Sequence, residues 1–375
     1  MPLFDVYPLY DVEPAKARGV YVYDQKGNKY LDLYGGHAVI SIGHGHRTYK
    51  RMLKKQLNRI GFYSNAVQNP LQEKLSSEIN RQSGCAGYEL FMCSSGAEAN
   101  ENALKLASFH TGKPRVIAFQ NAFHGRTSAA VAATDNKNIQ APLNTQQQVT
   151  FIPFNDGKAL EKELAKGDVC AVIFEAIQGV GGLDEPTTDF VKQIEVLCNK
   201  HNVCIIADEV QSGFGRSGDF FAFQKYMITP HIISIAKGMG NGFPVGGILV
   251  NPIIKSKYGM LGTTFGGNHL ACSASLAVLQ VLEKEQLCDQ AKAMGEYFVK
   301  KAKTLPFVKT IKGRGLMLGL EFEKEVGALR KELIFNHRIF TGGSSNKNLI
   351  RILPPLNVKK KHLDQLIKAL QICHQ

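Results

Sequence analysis

Between residues 90 and 250 the chain alternates two patterns: short apolar runs rich in Val and Ile, then stretches whose apolar residues recur three and four positions apart. The runs predict seven strands, Leu90–Cys93, Arg115–Phe119, Val149–Ile152, Val169–Phe174, Val203–Asp208, Ile232–Ala236 and Gly247–Val250. Most are apolar throughout, so both faces of the sheet should be covered. The stretches between them, among them Ala97–Phe109, Ala159–Ala165 and Asp189–Lys200, have the length of helical crossovers between parallel strands. An α/β fold built on a seven-stranded, mostly parallel sheet follows. Upstream, Gly19–Asp24 and Lys29–Leu33 alternate around Lys26-Gly27-Asn28 as a hairpin. Downstream, one long helical stretch runs from Leu270 to about Leu305 and leads into a final α+β segment. Residues 51–270 are expected to form a large domain, with residues 1–50 packing against a smaller C-terminal domain of residues 271–375.

Composition narrows the class without fixing it. With 375 residues, 44% hydrophobic and 21% charged, the chain can bury a large core, and no apolar run approaches the roughly 18 residues that span a bilayer. The first residues carry no basic segment leading into an apolar one, so a cytoplasmic address without a targeting signal is expected. Eight scattered cysteines form no Cys-x-x-Cys pair and read as reduced core thiols. The excess of 45 Lys and Arg over 32 Asp and Glu fits anionic substrates or only a basic surface; it is dispersed apart from Lys359-Lys360-Lys361, which reads as a solvated helix start, so nucleic acid is not expected.

Ligands of such sheets gather at the carboxyl ends of the strands. Two of the strands end in Asp208-Glu209-Val210-Gln211 and in Lys237-Gly238. A lysine there loses water, and its amine becomes a nucleophile toward a carbonyl. After Leu90–Cys93, the small residues Ser94-Ser95-Gly96-Ala97 open a helix whose bare N–H groups suit a phosphate. After Arg115–Phe119, Phe123-His124-Gly125-Arg126 offers a flat ring beside a cation. Phosphate cradle, aromatic plate, acid and lysine together describe pyridoxal 5′-phosphate (PLP).

With these motifs the sequence closely resembles the class III, ornithine-type aminotransferases of PLP fold type I, above all their acetylornithine branch. The resemblance spans nearly the whole chain and includes Ser95-Gly96-Ala97-Glu98-Ala99-Asn100, Phe123-His124-Gly125-Arg126-Thr127, Gln178-Gly179, Asp208-Glu209-Val210-Gln211, Ala236-Lys237-Gly238, Thr264-Phe265-Gly266-Gly267-Asn268 and Arg351-Ile352-Leu353-Pro354-Pro355-Leu356. It implies a PLP-dependent homodimer that moves the terminal amino group of an N-acylornithine to 2-oxoglutarate, with N-acetylornithine as the donor and N-succinylornithine, ornithine or 4-aminobutyrate as alternatives. It also assigns roles. Lys237 bonds the cofactor aldehyde and then shuttles a proton, and Asp208 keeps the pyridine nitrogen protonated. Phe123 and Val210 sandwich the ring, and Gln211 bonds the ring oxygen. Ser95, Gly96 and Ala97 hold the phosphate, joined by Thr264 from the partner subunit. Arg351 and Arg126 bind substrate carboxylates through forks that a lysine lacks. Glu175 and Gln178 lie on a family motif near the cofactor and receive no chemical step.

Two positions depart from the family pattern. Val180 stands where related enzymes carry a glutamate that masks the α-carboxylate arginine, which should leave Arg351 available in both half-reactions. His37 stands where they carry an aromatic or small aliphatic residue, and is either a core histidine or a donor to an anionic substrate group near neutral pH. Gly213-Phe214-Gly215-Arg216-Ser217-Gly218 matches a dinucleotide fingerprint in letters only, because it is detached from its strand. His44-Gly45-His46 lacks a third ligand at metal spacing, so no metal is expected. Asp208 and Glu209, as strand neighbours, should face opposite ways, leaving only one for the cofactor. A catalytically silent PLP-fold binding protein is the reading from another class, opposed by the retention of Lys237, Asp208 and both arginines. A racemase or mutase of the same fold would form no glutamate from 2-oxoglutarate.

Overall fold

The computed structural model describes residues 4–374. Its centre is a seven-stranded sheet whose strands lie in the spatial order Glu89–Cys93, Gly246–Val250, Ile232–Ile235, Cys204–Asp208, Val169–Phe174, Arg115–Phe119 and Val149–Ile152. The last five are paired in parallel, whereas Gly246–Val250 runs antiparallel to both of its neighbours. Every residue of Val169–Phe174 and Cys204–Asp208 is buried, which is why these runs do not alternate. Each buried Val or Ile of this kind contributes roughly 1.5–3 kcal/mol. All seven strands follow the sequence pattern with ends within one residue.

Two smaller sheets flank the centre. Pro14–Arg18, Tyr21–Asp24 and Lys29–Asp32 form a meander, and Ile339–Phe340 joins it by pairing in parallel with Lys29–Asp32, so the two ends of the chain share one sheet. Thr310–Arg314, Met317–Glu321 and Leu349–Ile352 form the other. The expected hairpin around Gly27 is present.

The single helical stretch expected from Leu270 to about Leu305 is two helices, His269–Lys284 and Leu287–Ala302. Gln286 takes the left-handed backbone (φ 49°) and turns the chain between them. Neither glycine nor proline marks the break. The first of these helices is buried nearly all round, and the turn redirects the chain so that the second presents only one face.

The segment Gly213–Gly218 lies in the interior rather than at a strand-to-helix junction. Arg216 at its centre is among the largest fully buried side chains, and it donates to the carbonyls of Leu316, Pro354 and Ile40. One guanidinium thus clips the large sheet to the C-terminal and N-terminal parts, and burial pulls its pKa down to about 9. His44 and His46 turn to different carboxylates, Asp32 at 2.8 Å and Glu285 at 2.9 Å.

Candidate active site

Five strands deliver their following residues to one edge of the sheet: Cys93 leads to Ser94–Ala97, Phe119 to Phe123–Arg126, Phe174 to Glu175–Val180, Asp208 to Val210 and Gln211, and Ile235 to Lys237. They enclose a cavity of about 370 Å³ lined by Ser95, Gly96, Phe123, Asp208, Val210 and Lys237 among others.

One wall is the start of the helix Gly96–Thr111. Ser95 caps it by accepting from the Glu98 amide at 3.2 Å, while the Glu98 carboxylate takes the Ser94 amide at 2.6 Å. The amides of Gly96 and Ala97 have no partner among the described hydrogen bonds. A side chain at Gly96 would come within 2.5 Å of Val210 Cγ1, so only glycine lets the helix start close over that wall.

At the floor, Asp208 accepts three hydrogen bonds, from the Val210 amide (3.0 Å), Asn100 Nδ2 (2.8 Å) and His124 Nδ1 (2.7 Å). Glu209 points away and takes the amides of Ala222 and Phe223 and the Ser212 hydroxyl, so the two adjacent carboxylates are divided between the site and the scaffold. Neither Asn100 nor His124 was singled out from the sequence, although both lie inside quoted motifs. Asn100 sits one turn into the helix, on the face toward the sheet, and that spacing was its only signal.

Lys237 follows directly on Ala236, and the strand stops at Ile235, one residue earlier than expected. Its backbone is left-handed, φ 45°, a conformation costly for a residue with a Cβ and concentrated at functional positions. Burial lowers its amine pKa from the ordinary lysine value, the nearby Asp208 and Glu175 partly oppose this, and Arg351 adds to it. The Lys237 Nζ makes no hydrogen bond or ion pair among the described residues.

Glu175 is buried, and its carboxylate accepts from the Phe123 amide at 3.0 Å and the Gly179 amide at 2.8 Å. Burial raises its pKa above the usual carboxylate range. Arg351 is buried beside the cavity, and its Nη1 donates to the Gly179 carbonyl at 2.7 Å and to Gln211 Oε1 at 3.4 Å. Arg126 is exposed at the rim, its guanidinium 5.9 Å from the Phe123 ring centre. Neither arginine forms an ion pair among the described residues.

Two expected residues stand apart. Thr264 is exposed and does not line this chain's own cavity. His37 is not a core histidine, and it is not among the residues that line the cavity. It is exposed, left-handed (φ 65°) and hydrogen-bonded to the Tyr34 hydroxyl, while loss of water and then the charges of Arg351 and Lys237 push its pKa down to about 4. Val180 lines the cavity, and a valine there offers Arg351 no ion pair.

The family profile described as "Aminotransferase class-III" matches residues 6–373. Acetylornithine aminotransferase of Bacillus subtilis is 38% identical over 376 residues, covering 98% of this chain and 96% of that protein. The acetylornithine aminotransferase of Methanocaldococcus jannaschii is 37% identical, covering 97% and 94%. Among solved structures, the ornithine aminotransferase of Toxoplasma gondii, described with PLP at partial occupancy in its active site, superposes with a TM-score of 0.91 at 27% identity, covering 99% of this chain and 93% of that one.

The cavity fits that cofactor. Unpartnered amides at a helix start suit a phosphate, a ring can lie between Phe123 and Val210, and the buried His124 Nε2 is left without a partner inside the same cluster. With the match reaching from residue 6 to residue 373 and the cradle present in the fold, the chain belongs to the class-III aminotransferases and is a PLP-dependent transaminase.

Proposed function

We propose that the enzyme transfers the δ-amino group of N-acetylornithine to 2-oxoglutarate, giving N-acetylglutamate semialdehyde and glutamate, as a step of arginine biosynthesis in the cytoplasm. The relatives at 37 and 38% identity support the donor. The observation that carries the reading is that Lys237 and Asp208, at the ends of neighbouring strands, line one cavity with Arg126 and Gln211, that Arg351 is buried against Gln211, and that neither arginine forms an ion pair among the described residues. No helix is long and apolar enough to cross a membrane among the described residues.

When bound, PLP supplies an aldehyde for the amino group and a ring that draws electrons from the carbon being deprotonated. Lys237, its proton affinity lowered by burial, offers a free amine at neutral pH more readily than a surface lysine would. Lys237 Nζ would be the base that takes the proton from the donor's amino-bearing carbon and returns it on the other side of the transfer. Asp208, fixed on the cavity floor by three donors, would meet the ring nitrogen. Ser95, Gly96 and Ala97 hold the phosphate, Phe123 and Val210 bracket the ring, and Gln211 approaches the ring oxygen. Arg351 would bind the α-carboxylate of 2-oxoglutarate, which adjoins the reacting carbon, and Arg126 at the rim would meet its distal carboxylate. The working unit is a homodimer in which Thr264 reaches the partner's phosphate.

A second donor, N-succinylornithine, is favoured by the same uncompensated cations, because its acyl group brings another carboxylate to a site in which Val180 replaces an acid. Free ornithine instead places an α-ammonium near Arg351. Donor efficiencies for N-acetylornithine, N-succinylornithine, ornithine and 4-aminobutyrate, measured by glutamate formation, test the assignment. Both acylated donors should exceed the other two, and ornithine ranking first would overturn it.

A further inference from the structure

The buried carboxylate of Glu175 has no part in the chemistry above, yet its two oxygens are spent on two separate pieces of the site. Oε1 accepts from the amide of Phe123, the residue whose ring lines the cavity, at 3.0 Å, and Oε2 accepts from the amide of Gly179 at 2.8 Å. Gly179 then presents its own carbonyl to Arg351 Nη1 at 2.7 Å. The approach is too close for any side chain, since a Cβ at Gly179 would lie 2.1 Å from Gln211 Oε1, and that same oxygen accepts from Arg351 at 3.4 Å.

We propose that Glu175 is a positioning residue whose carboxylate ties the Phe123 loop to the Gly179 loop and thereby fixes the Arg351 guanidinium relative to the ring face. Each of the three hydrogen bonds has a backbone group as one partner, the amides of Phe123 and Gly179 and the carbonyl of Gly179, so Glu175 and Arg351 are the only side chains in the path. Arg351 needs this support because no carboxylate pairs with it among the described residues; carbonyls of Gly343 and Gly179 and the amide oxygen of Gln211 hold it instead. A guanidinium held by neutral acceptors keeps its charge free for a ligand, provided its fork is aimed correctly. The burial that raises the Glu175 pKa is the cost of placing a carboxylate there, and two amide donors offset part of it.

Only a carboxylate has an acceptor for each amide. In Glu175→Gln one oxygen becomes an NH₂ that meets an N–H, so one loop is released. The inference rests on the reading of Arg351 as the carboxylate site, and the test separates the two. Glutarate, a dicarboxylate without a keto group, is titrated into cofactor-loaded wild type, E175Q, R351A and the double variant, with the change in visible absorption as readout. E175Q should weaken glutarate about tenfold with Arg351 present, within the range of coupling between contacting groups, and less than about twofold in the R351A background. Equal weakening in both backgrounds, or none in either, would overturn the proposal while leaving Arg351 as the site. No loss of glutarate binding in R351A would overturn both. Should E175Q fail to accumulate, E175D keeps the charge on a shorter arm that cannot span both amides, and the same comparison applies.

Discussion

His124 Nδ1 lies 2.7 Å from Asp208 Oδ2, and both side chains are buried. With Asn100 and the Val210 amide, the imidazole makes the third of three donors that fix one carboxylate on the cavity floor. Hydrogen bonds to charged groups are worth roughly 1.5–3 kcal/mol. His124→Asn should therefore slow the half-reaction by about 10- to 100-fold with the cofactor still bound. Asp208→Asn, which removes the charge itself, should cost roughly 10²–10³. Single-turnover rates of the two variants rank them, and an unaffected D208N enzyme would move the ring-nitrogen contact elsewhere.

Lys237 combines a left-handed backbone with an amine that has no partner among the described residues. Lys237→Ala should fold normally and bind the cofactor only noncovalently. Lys237→Gly should do the same and also relieve the backbone, since an L-residue in this conformation costs about 1–2 kcal/mol more than glycine. Denaturant unfolding of the cofactor-free variants should find K237G the more stable of the two by about 1 kcal/mol, whereas equal stability would mean that the strain is relaxed in solution.

Much of this arrangement was legible in the chain. Runs that are apolar on both faces mark the central strands, and the two edge strands, Glu89–Cys93 and Val149–Ile152, show as shorter runs of the same kind, so the strands and the residues just past them followed from the pattern. The helix break at Gln286 was not, because a polar residue in the left-handed region looks like any other helix-surface position until packing demands the turn. The protonation of His37 is not legible in the sequence for a related reason: it is set first by loss of water and then by Arg351 and Lys237, 314 and 200 positions away in sequence, and sequence spacing carries no trace of either. Asn100 and His124 were visible as letters in motifs, but their shared target, Asp208, is set by three-dimensional contact alone.

The lowered pKa of His37 has a consequence for stability. In the unfolded chain this ring titrates near 6.5, whereas in the folded protein it stays neutral down to about 4. Between those values the unfolded state holds the extra proton, so this group's contribution makes stability fall as pH drops from 6.5 toward 4 and leaves it flat above. The melting temperature of His37→Ile should accordingly decline less than that of wild type over this interval, and the two enzymes should share one activity profile from about pH 6.5 to 8. A wild-type inflection near 6.5 that disappears in the variant would restore His37 as a charged substrate contact.

Thr264, exposed and away from its own cavity, is expected to serve the partner's site. A mixed dimer of one Thr264→Ala chain and one Lys237→Ala chain then has one site with both lesions and one with neither, and should keep about half of wild-type activity. An inactive mixed dimer would place Thr264 in service of its own subunit.

The most direct test of the whole account needs no acceptor at first. N-acetylornithine is added to the cofactor-loaded enzyme, the visible absorption of the lysine-bound cofactor is followed, and 2-oxoglutarate is added afterwards. The account predicts loss of that absorption with the donor alone, its return with 2-oxoglutarate together with one glutamate per site, and no cycle at all in Lys237→Ala. A full cycle in Lys237→Ala, or a wild-type spectrum that ignores every amino donor, would contradict it.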